Sequence, residues 1–412
     1  MNKKFHSILF LGAGGVSMHQ LALAMHNLGL KVYCYDAQKN EYLQLLEKNG
    51  IKTSTKFEKT FLNVDLCVAS GAIKQDNKYI QALKFKNVEI VDRAVFLGWI
   101  CAKFKTVIAV AGTHGKSSTA SLIYEILRIN GEKVSCHIGA DVFAPRFNFD
   151  DDYLVVEACE YNKSFLSIYP NIAVITNVEA EHMDCYKNLF SLKSAFSTFI
   201  KRAKFRFVYN EKSTNFLKRY KNINFVDKTD LKLKPKILGE YNLKNISLAV
   251  AVAKQIGVTD DVIVRAVNNF NGVPRRYEYL GKYKDNKIYI DYAHHPTEIQ
   301  SFISTFMLQN CSAQIVFQPH TYSRTKNFLK KFIEVFKTVN NLCIFKEYPA
   351  RETSNMGLSA YQLYLKIKKI NPLVEYAENE KQLSKFIKSS GAIAFVGAGD
   401  INLIAKKFVA KR

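Results

Sequence analysis

The stretch Val110-Ala-Gly-Thr-His-Gly-Lys-Ser-Ser118 breaks an apolar run, TVIAVA, into a short loop that opens a helical segment on Gly-Lys-Ser. Backbone N–H groups at such a helix start, reinforced by the helix dipole, face an anion. The chemistry this suits is the holding of ATP. Gly112, Thr113, His114 and Gly115 would wrap the phosphates, Lys116 would neutralise the outer ones, and the hydroxyl of Ser117 or Ser118 would ligate Mg2+. A strict P-loop has glycine where Val110 stands, so the loop reads as a shortened variant.

Two further acidic segments end apolar runs. Glu157 closes YLVVE, with Glu160 just beyond, where a P-loop fold would place a metal-binding carboxylate; a solvated strand end is the plainer alternative. Thr176-Asn-Val-Glu-Ala-Glu-His-Met-Asp184 gathers oxygen ligands around one imidazole. His182 therefore reads either as a second metal ligand or as a structural histidine. Zinc is disfavoured, because no cysteine or histidine pair has the usual ligand spacing.

Near the start, Gly12, Gly14 and Gly15 follow one apolar run and Asp36 ends the next, a nucleotide-binding βαβ pattern in which Ser17 replaces the third glycine. NAD, UDP and a ligand-free packing turn all remain open from spacing alone. The last third carries Arg275-Arg276, Asp291-Tyr-Ala-His-His-Pro-Thr-Glu298, Gln318-Pro-His-Thr-Tyr-Ser-Arg-Thr325 and Tyr348-Pro-Ala-Arg-Glu352. The chain uses only 12 arginines among its 59 basic residues. Arginines 275, 276, 324 and 351 therefore mark places where a planar fork grips carboxylate or phosphate as lysine cannot.

These groups need scaffolds. SILFLG, KVYCYD and DLCVAS alternate with amphipathic helical stretches through the first hundred residues; a second start at Lys105 runs through YLVVEACE and IAVITNVEAEH into a long helical stretch ending near Asn271. A third begins near Pro274 with KIYIDY, AQIVFQ, NLCIFKEY and AIAFVGAGD, whose strands should again be parallel. The spacing thus predicts an α/β chain of three domains, 1–104, 105–272 and 273–412, with KLKPK at 232–236 as a surface connection. Ligands of such sheets lie beyond the carboxyl ends of the strands, where the polar motifs fall.

Composition agrees with a globular, reduced, cytoplasmic protein. Apolar residues make up 48% of the chain, and no run reaches the roughly 18 to 20 apolar residues of a membrane span. The eight cysteines are scattered without a paired framework, as free thiols of a reducing compartment would be. The formal charge of +23 raises a nucleic-acid reading, but the basic residues are spread along the chain and no nucleic-acid-binding signature accompanies them. Neither a nucleic acid nor a membrane is expected as a partner.

Taken together, GTHGKSS, EACEY, TNVEAEHMD, EYNLKN, PRRYEYLG, DYAHHPTE, FQPHTYSRT, YPARE and the terminal GAGDI resemble the Mur ligase family over essentially the whole chain, and DYAHHPTE with HTYSRT and YPARE points to its alanine-adding branch. The resemblance implies a Rossmann-like N-terminal domain holding a UDP-sugar, a P-loop ATPase-like central domain and a Rossmann-like C-terminal domain that closes with the amino acid. It implies joining of L-alanine to UDP-N-acetylmuramate through an acyl phosphate, with ATP and Mg2+, by a monomer or homodimer. By position, Gly12, Gly14, Gly15 and Asp36 would serve the UDP-sugar; Gly112–Ser118, Asn242, Asn245, Arg276 and Asp291 would serve ATP; and Ser117, Glu157 and His182 would serve the metals. Lys116, Glu157, His182, Arg276 and His294 would be catalytic, with His294, His320 and Arg324 at the amino-acid and muramyl carboxylates. The sequence departs from the family pattern at Ser17, His19 and Thr321. A related recycling ligase that joins a preformed peptide to the same nucleotide sugar shares most of these motifs.

Overall fold

Strands buried on both faces of a parallel sheet read as unbroken apolar runs, and the computed structural model, which describes residues 5–139, 147–183, 185–237, 239–350, 352–389 and 391–410, is built on such runs. In the first sheet β1 (Ser7–Leu11), β2 (Lys31–Tyr35), β3 (Lys52–Ser54), β4 (Leu66–Ala69) and β5 (Glu89–Asp92) take the order β3-β2-β1-β4-β5, all parallel. The chain reverses its direction of winding between β1 and β4, which opens a crevice at their carboxyl ends.

The second sheet holds β6 (Thr106–Ala111), β7 (Val134–His137), β8 (Tyr153–Glu157), β9 (Ile172–Ile175), β10 (Phe205–Tyr209) and β11 (Asn224–Val226) in the order β11-β10-β9-β6-β8-β7, again all parallel. Because β6 lies between β8 and β9, the loop after β6 is flanked by the acidic segments that follow both neighbours. Strands β10 and β11 interrupt the stretch expected to be helical to Asn271. FRFVY in β10 is aromatic and β-branched, which suits a pleated surface better than a helix turn. The helices here are Leu189–Lys201, Glu240–Ile256 and Asp260–Asn269.

The third sheet orders β12 (Glu278–Tyr283), β13 (Asn286–Asp291), β14 (Gln314–Phe317), β15 (Leu342–Phe345), β16 (Glu375–Ala377) and β17 (Ala392–Val396) as β12-β13-β17-β14-β15-β16. The expectation of a wholly parallel sheet is corrected at its edge, where β12 and β13 pair antiparallel. Only Lys284 and Asp285 separate them, too short a link for the crossover that parallel strands require, and Lys284 turns the chain with φ 50°. The other pairs are parallel.

Packing divides the chain into two units, 1–235 with 242–270 and 236–241 with 271–412. The first contains the first two sheets, the second the third sheet. Among the described residues no helix is long and apolar enough to cross a membrane, and all eight cysteines are free thiols, five of them buried.

Candidate active site

The phosphate loop is shaped by two glycines. Gly112 has φ 143° and Gly115, the residue that starts the helix Lys116–Ile129, has φ 82°. A side chain at Gly112 would collide with Thr176 Oγ1. The segment after β9 holds the loop: Thr176 Oγ1 and Asn177 Nδ2 donate to His114 O at 2.6 and 3.0 Å, and Asn177 Oδ1 accepts from His114 N at 2.9 Å. Thr113 N donates to Asn177 O at 3.0 Å. A loop fastened on so many backbone atoms is preorganised before any ligand arrives.

Lys116 turns back over this loop. Its ammonium donates to Gly112 O at 2.6 Å and Thr113 O at 3.0 Å, and lies 3.1 Å from Glu160 Oε2. Burial works against that charge, but Glu160 and then Cys159, Glu157 and Glu181 outweigh it, holding the ammonium above its ordinary range. Glu157, at the end of β8, takes a different place: its Oε2 accepts from Ser117 Oγ and Gly139 N, both at 2.8 Å.

The acids and imidazole beyond the strand ends form one cluster. Ligand atoms of Glu160, Glu181 and His182 all lie within 4.8 Å of one another. His182 adopts a left-handed backbone, φ 56°, accessible to histidine at modest cost. Its Nε2 comes 3.6 Å from Glu160 Oε1. Two carboxylates and an imidazole are a donor set for a divalent cation of the Mg2+ or Mn2+ kind, and the buried Glu160 Oε2 has only its ion pair with Lys116.

The first glycine turn follows β1. Gly12 N and Ala13 N donate to Tyr35 O at 2.8 and 2.9 Å, Gly14 N donates to Asp36 Oδ2 at 2.8 Å, and Asn40 Nδ2 donates to Gly14 O at 2.8 Å. A Cβ on Gly14 would sit 2.6 Å from Asn40 Nδ2 and 2.8 Å from that Asp36 oxygen, so a side chain there would displace the two groups that hold the turn. The other Asp36 oxygen accepts from Gln38 N at 3.3 Å. Asp36 thus braces the turn.

In the second unit the polar groups again collect at strand ends. Asp291 closes β13 and accepts from Ala293 N at 2.7 Å and Tyr277 N at 2.8 Å. Burial pushes its carboxyl up to about 6, partly offset by Arg276 and by those two amides. Arg276 Nη1 lies 3.3 Å from Glu298 Oε1, and Glu298 Oε2 accepts from the backbone of His294 and His295 at 3.2 and 3.4 Å. The same Glu298 completes a capping box with His295 at the start of the helix Pro296–Gln309. Arg275 Nη2 donates to Gly399 O at 2.8 Å and Gly397 O at 3.3 Å, tying the loop after β17 to the Arg275-Arg276 turn.

Hydrogen bonds give the Nδ1 atoms of the two histidines opposite roles. A carbonyl only accepts, so His294 carries its proton on Nδ1, 3.0 Å from Tyr292 O. A guanidinium only donates, so His320 Nδ1, 3.0 Å from Arg324 Nη1, is an acceptor and its proton is on Nε2. Burial, His294, Arg324 and Arg275 push the His320 pKa down to about 3, which keeps that ring neutral. His320 and Arg324 therefore present N–H donors of the kind a carboxylate takes.

The expected residues thus fall into separate groups. Gly112–Ser118, Glu157 and His182 assemble around one loop; Gly12, Gly14, Gly15 and Asp36 form another turn; Arg276, Asp291, His294, His320 and Arg324 share the strand ends of the second unit. Asn242 and Asn245 lie on the helix Glu240–Ile256, with Asn245 buried. Arg351 and Asp184 lie outside the described residues. Asn177, Glu181 and Glu298 are central to the geometry although no motif singled them out individually, and Glu160, noted beside Glu157, is the carboxylate that faces Lys116. The capping-box spacing of Glu298 after His295 was a readable signal for one of them.

Comparison with known proteins adds a full-length likeness. Residues 7–105 match the model described as "Mur ligase family, catalytic domain" and residues 110–227 the Mur ligase middle domain. UDP-N-acetylmuramate–L-alanine ligase of Caldicellulosiruptor bescii is 34% identical over 100% of both chains, and that of Clostridium perfringens 32% identical over 99% of this chain and 98% of its own. Among solved structures, UDP-N-acetylmuramate-alanine ligase of Thermotoga maritima superposes with a TM-score of 0.84 at 22% identity, covering 99% of each chain. A murein peptide ligase of Psychrobacter arcticus gives 0.70 at 19% identity over 98% of each.

Proposed function

The chain belongs to the Mur ligase family, and from that premise we propose that it is the ATP-dependent ligase that joins L-alanine to the carboxylate of UDP-N-acetylmuramate in peptidoglycan precursor synthesis. The observation that carries the reading is the buried lysine-and-acid phosphate loop, in a chain alike over its whole length to alanine-adding ligases. A carboxylate resists an amine until one of its oxygens becomes a leaving group. Transfer of the γ-phosphoryl of ATP to the muramyl carboxylate gives an acyl phosphate; the alanine amine attacks its carbonyl, and phosphate leaves with the electron pair of the broken C–O bond. ADP and phosphate are the by-products.

The roles follow the placement of groups. Lys116 and the amides of residues 112–118 bind the phosphates of ATP. Ser117 is aimed by Glu157, while Glu160, Glu181 and His182 form the donor set for a divalent cation. That cation, Mg2+ on the chemistry of its ligands, would neutralise charge building on the transferred phosphoryl group. Asn242 and Asn245 serve the adenine nucleotide. Residues 1–104 form the nucleotide-sugar domain around Gly12–Gly15, residues 105–272 the ATP domain, and residues 273–412 the closing domain. Arg276 approaches the γ-phosphate, with Asp291 holding the turn that carries it. His320 and Arg324 receive a carboxylate, and His294 presents Nε2 toward the incoming amino acid. Water exclusion by closure protects the acyl phosphate. We place the enzyme in the cytoplasm as a monomer or homodimer, without a nucleic-acid or membrane partner.

Phosphate release with ATP, Mg2+ and UDP-N-acetylmuramate tests this. Release that depends on L-alanine and yields UDP-N-acetylmuramoyl-alanine is the expected result. Release that depends on a tripeptide instead would shift the reading to the murein peptide ligase type, whose fold is also matched over the full chain.

A further inference from the structure

Ser17 occupies the position at which a GxGxxG turn has its third glycine, where lack of a side chain lets the helix pack closely. Its hydroxyl is put to use. Ser17 Oγ lies 2.9 Å from His137 Nε2 and accepts from Arg93 Nη1 at 3.2 Å. His137 is the last residue of β7, only 3% exposed, and its Nδ1 has no partner. One helical turn along, Gln20, also buried, donates from Nε2 to Ile138 O at 3.0 Å. The helix that begins at the first glycine turn is therefore fastened to the end of a strand in the second sheet by two polar links, one half-buried and one buried.

That strand end continues directly to the phosphate loop. Gly139 N donates to Glu157 Oε2, the oxygen that also accepts from Ser117 Oγ, both at 2.8 Å. The contact is close, because a Cβ on Gly139 would lie 3.0 Å from the same oxygen. Register fixes it further, since His137 pairs with Val156, the neighbour of Glu157 in β8. A chain of contacts thereby runs from the helix start at Gly15 through Ser17, His137, Gly139 and Glu157 to Ser117.

We propose that His137, with Ser17 and Gln20, is a positioning residue that couples occupation of the first glycine turn to the geometry of Ser117 in the phosphate loop. The inference rests on the reading of that turn as the nucleotide-sugar site. Burial, Arg93 and His19 push the His137 pKa down to about 3, so the imidazole stays neutral and the link does not depend on pH in the working range. His137 acts through other residues and touches no reactant.

The test is calorimetric titration of a non-hydrolysable ATP analogue with Mg2+, with and without saturating UDP-N-acetylmuramate. In the wild type the sugar nucleotide should tighten the analogue within the span of about 5- to 150-fold typical of coupled sites. His137→Leu should bring that factor to about one while leaving the analogue's own affinity within about threefold. His137→Gln, which retains a polar group, should restore part of it. Melting temperatures report whether His137→Leu stays folded, and Gln20→Leu, which cuts the second link, should lower the factor if it does not. An undiminished factor in folded His137→Leu and in Gln20→Leu, or a factor of one in the wild type, overturns the inference alone. Failure of the wild type to bind UDP-N-acetylmuramate overturns the functional reading and the inference with it.

Discussion

Lys116 and Glu160 face each other at 3.1 Å inside the phosphate loop, with the Glu160 side chain only 1% exposed. The pair is asymmetric. Lys116 also has the carbonyls of Gly112 and Thr113, whereas Glu160 stands in a cluster of acids whose charge must be balanced by Lys116 or by a metal. Removing the lysine strands a buried carboxylate, which typically costs about 3 to 5 kcal/mol. Lys116→Met should therefore lower the urea midpoint sharply as well as reduce ligase activity by about 100-fold or more. Saturating Mg2+ should recover part of the stability and none of the turnover; an unchanged urea midpoint without metal would show that the Lys116–Glu160 pair contributes nothing to stability.

The cluster of Glu160, Glu181 and His182 should bind Mn2+ in the absence of nucleotide. Second-layer changes alone cost metal sites about 10- to 100-fold in affinity, so Glu181→Gln and His182→Ala should each weaken Mn2+ by at least about tenfold, read by electron paramagnetic resonance of free Mn2+. Glu157→Gln should weaken it less in that nucleotide-free state, because Glu157 Oε2 is occupied by Ser117 and Gly139. Equal losses for Glu157 and Glu181 would place the metal beside Ser117 instead. Chelation of divalent cations should abolish phosphate release in every variant.

The sequence revealed the three sheets because each has strands buried on both faces, and TVIAVA, IAVI and AIAFV need no tertiary information to be recognised. It missed the antiparallel edge of the third sheet because β12, EYLGKY, is half exposed and contains a glycine at a bulge. It missed β10 because a five-residue aromatic run among lysines fits either period. At the site, Lys116 was legible from its motif, since loop and helix start are local. The partnership of Lys116 with Glu160, and of Glu157 with Gly139, was not, because it depends on β8 lying beside β6 and β7 out of chain order. The hydrogen bond from Gly14 N to Asp36 was hidden for a related reason, because it depends on the turn after β1 lying beside the end of β2.

Asp291 gives a pH signature. Its native pKa of about 6 lies above the ordinary carboxylate value, so the folded chain holds this proton more firmly than the unfolded one. The resulting stabilisation is complete below about pH 4 and is lost as pH rises through about 6. Asp291→Asn removes that dependence while its loss of one acceptor, for Tyr277 N or Ala293 N, adds a constant offset. The melting temperature of the wild type relative to Asp291→Asn should therefore fall between pH 4 and 7 and be level above pH 7. A difference that is flat from pH 4 to 7 would mean that Arg276 keeps the carboxyl at its ordinary value.

Thr321 holds a backbone that β-branched residues avoid, φ 67° and ψ 146°, a region where only glycine is at ease and strain of about 1 to 3 kcal/mol is usual. Its neighbours explain why the strain persists. Thr321 N donates to Tyr348 O at 2.9 Å and Thr321 O accepts from Thr325 Oγ1 at 2.8 Å, and the turn between them sets His320 against Arg324. Thr321→Gly should relieve strain yet free the unfolded chain, which returns roughly 1 kcal/mol, leaving a net gain of about 1 kcal/mol in urea unfolding. The same freedom should loosen the His320–Arg324 pair. The Michaelis constant for L-alanine should then rise several-fold, with that for ATP unchanged, because a carboxylate reads the placement of those two donors and the nucleotide does not. A stabilised variant with an unaltered constant for alanine would remove His320 and Arg324 from the amino-acid site, and a destabilised one would show that the entropy returned to the unfolded chain outweighs the strain relieved.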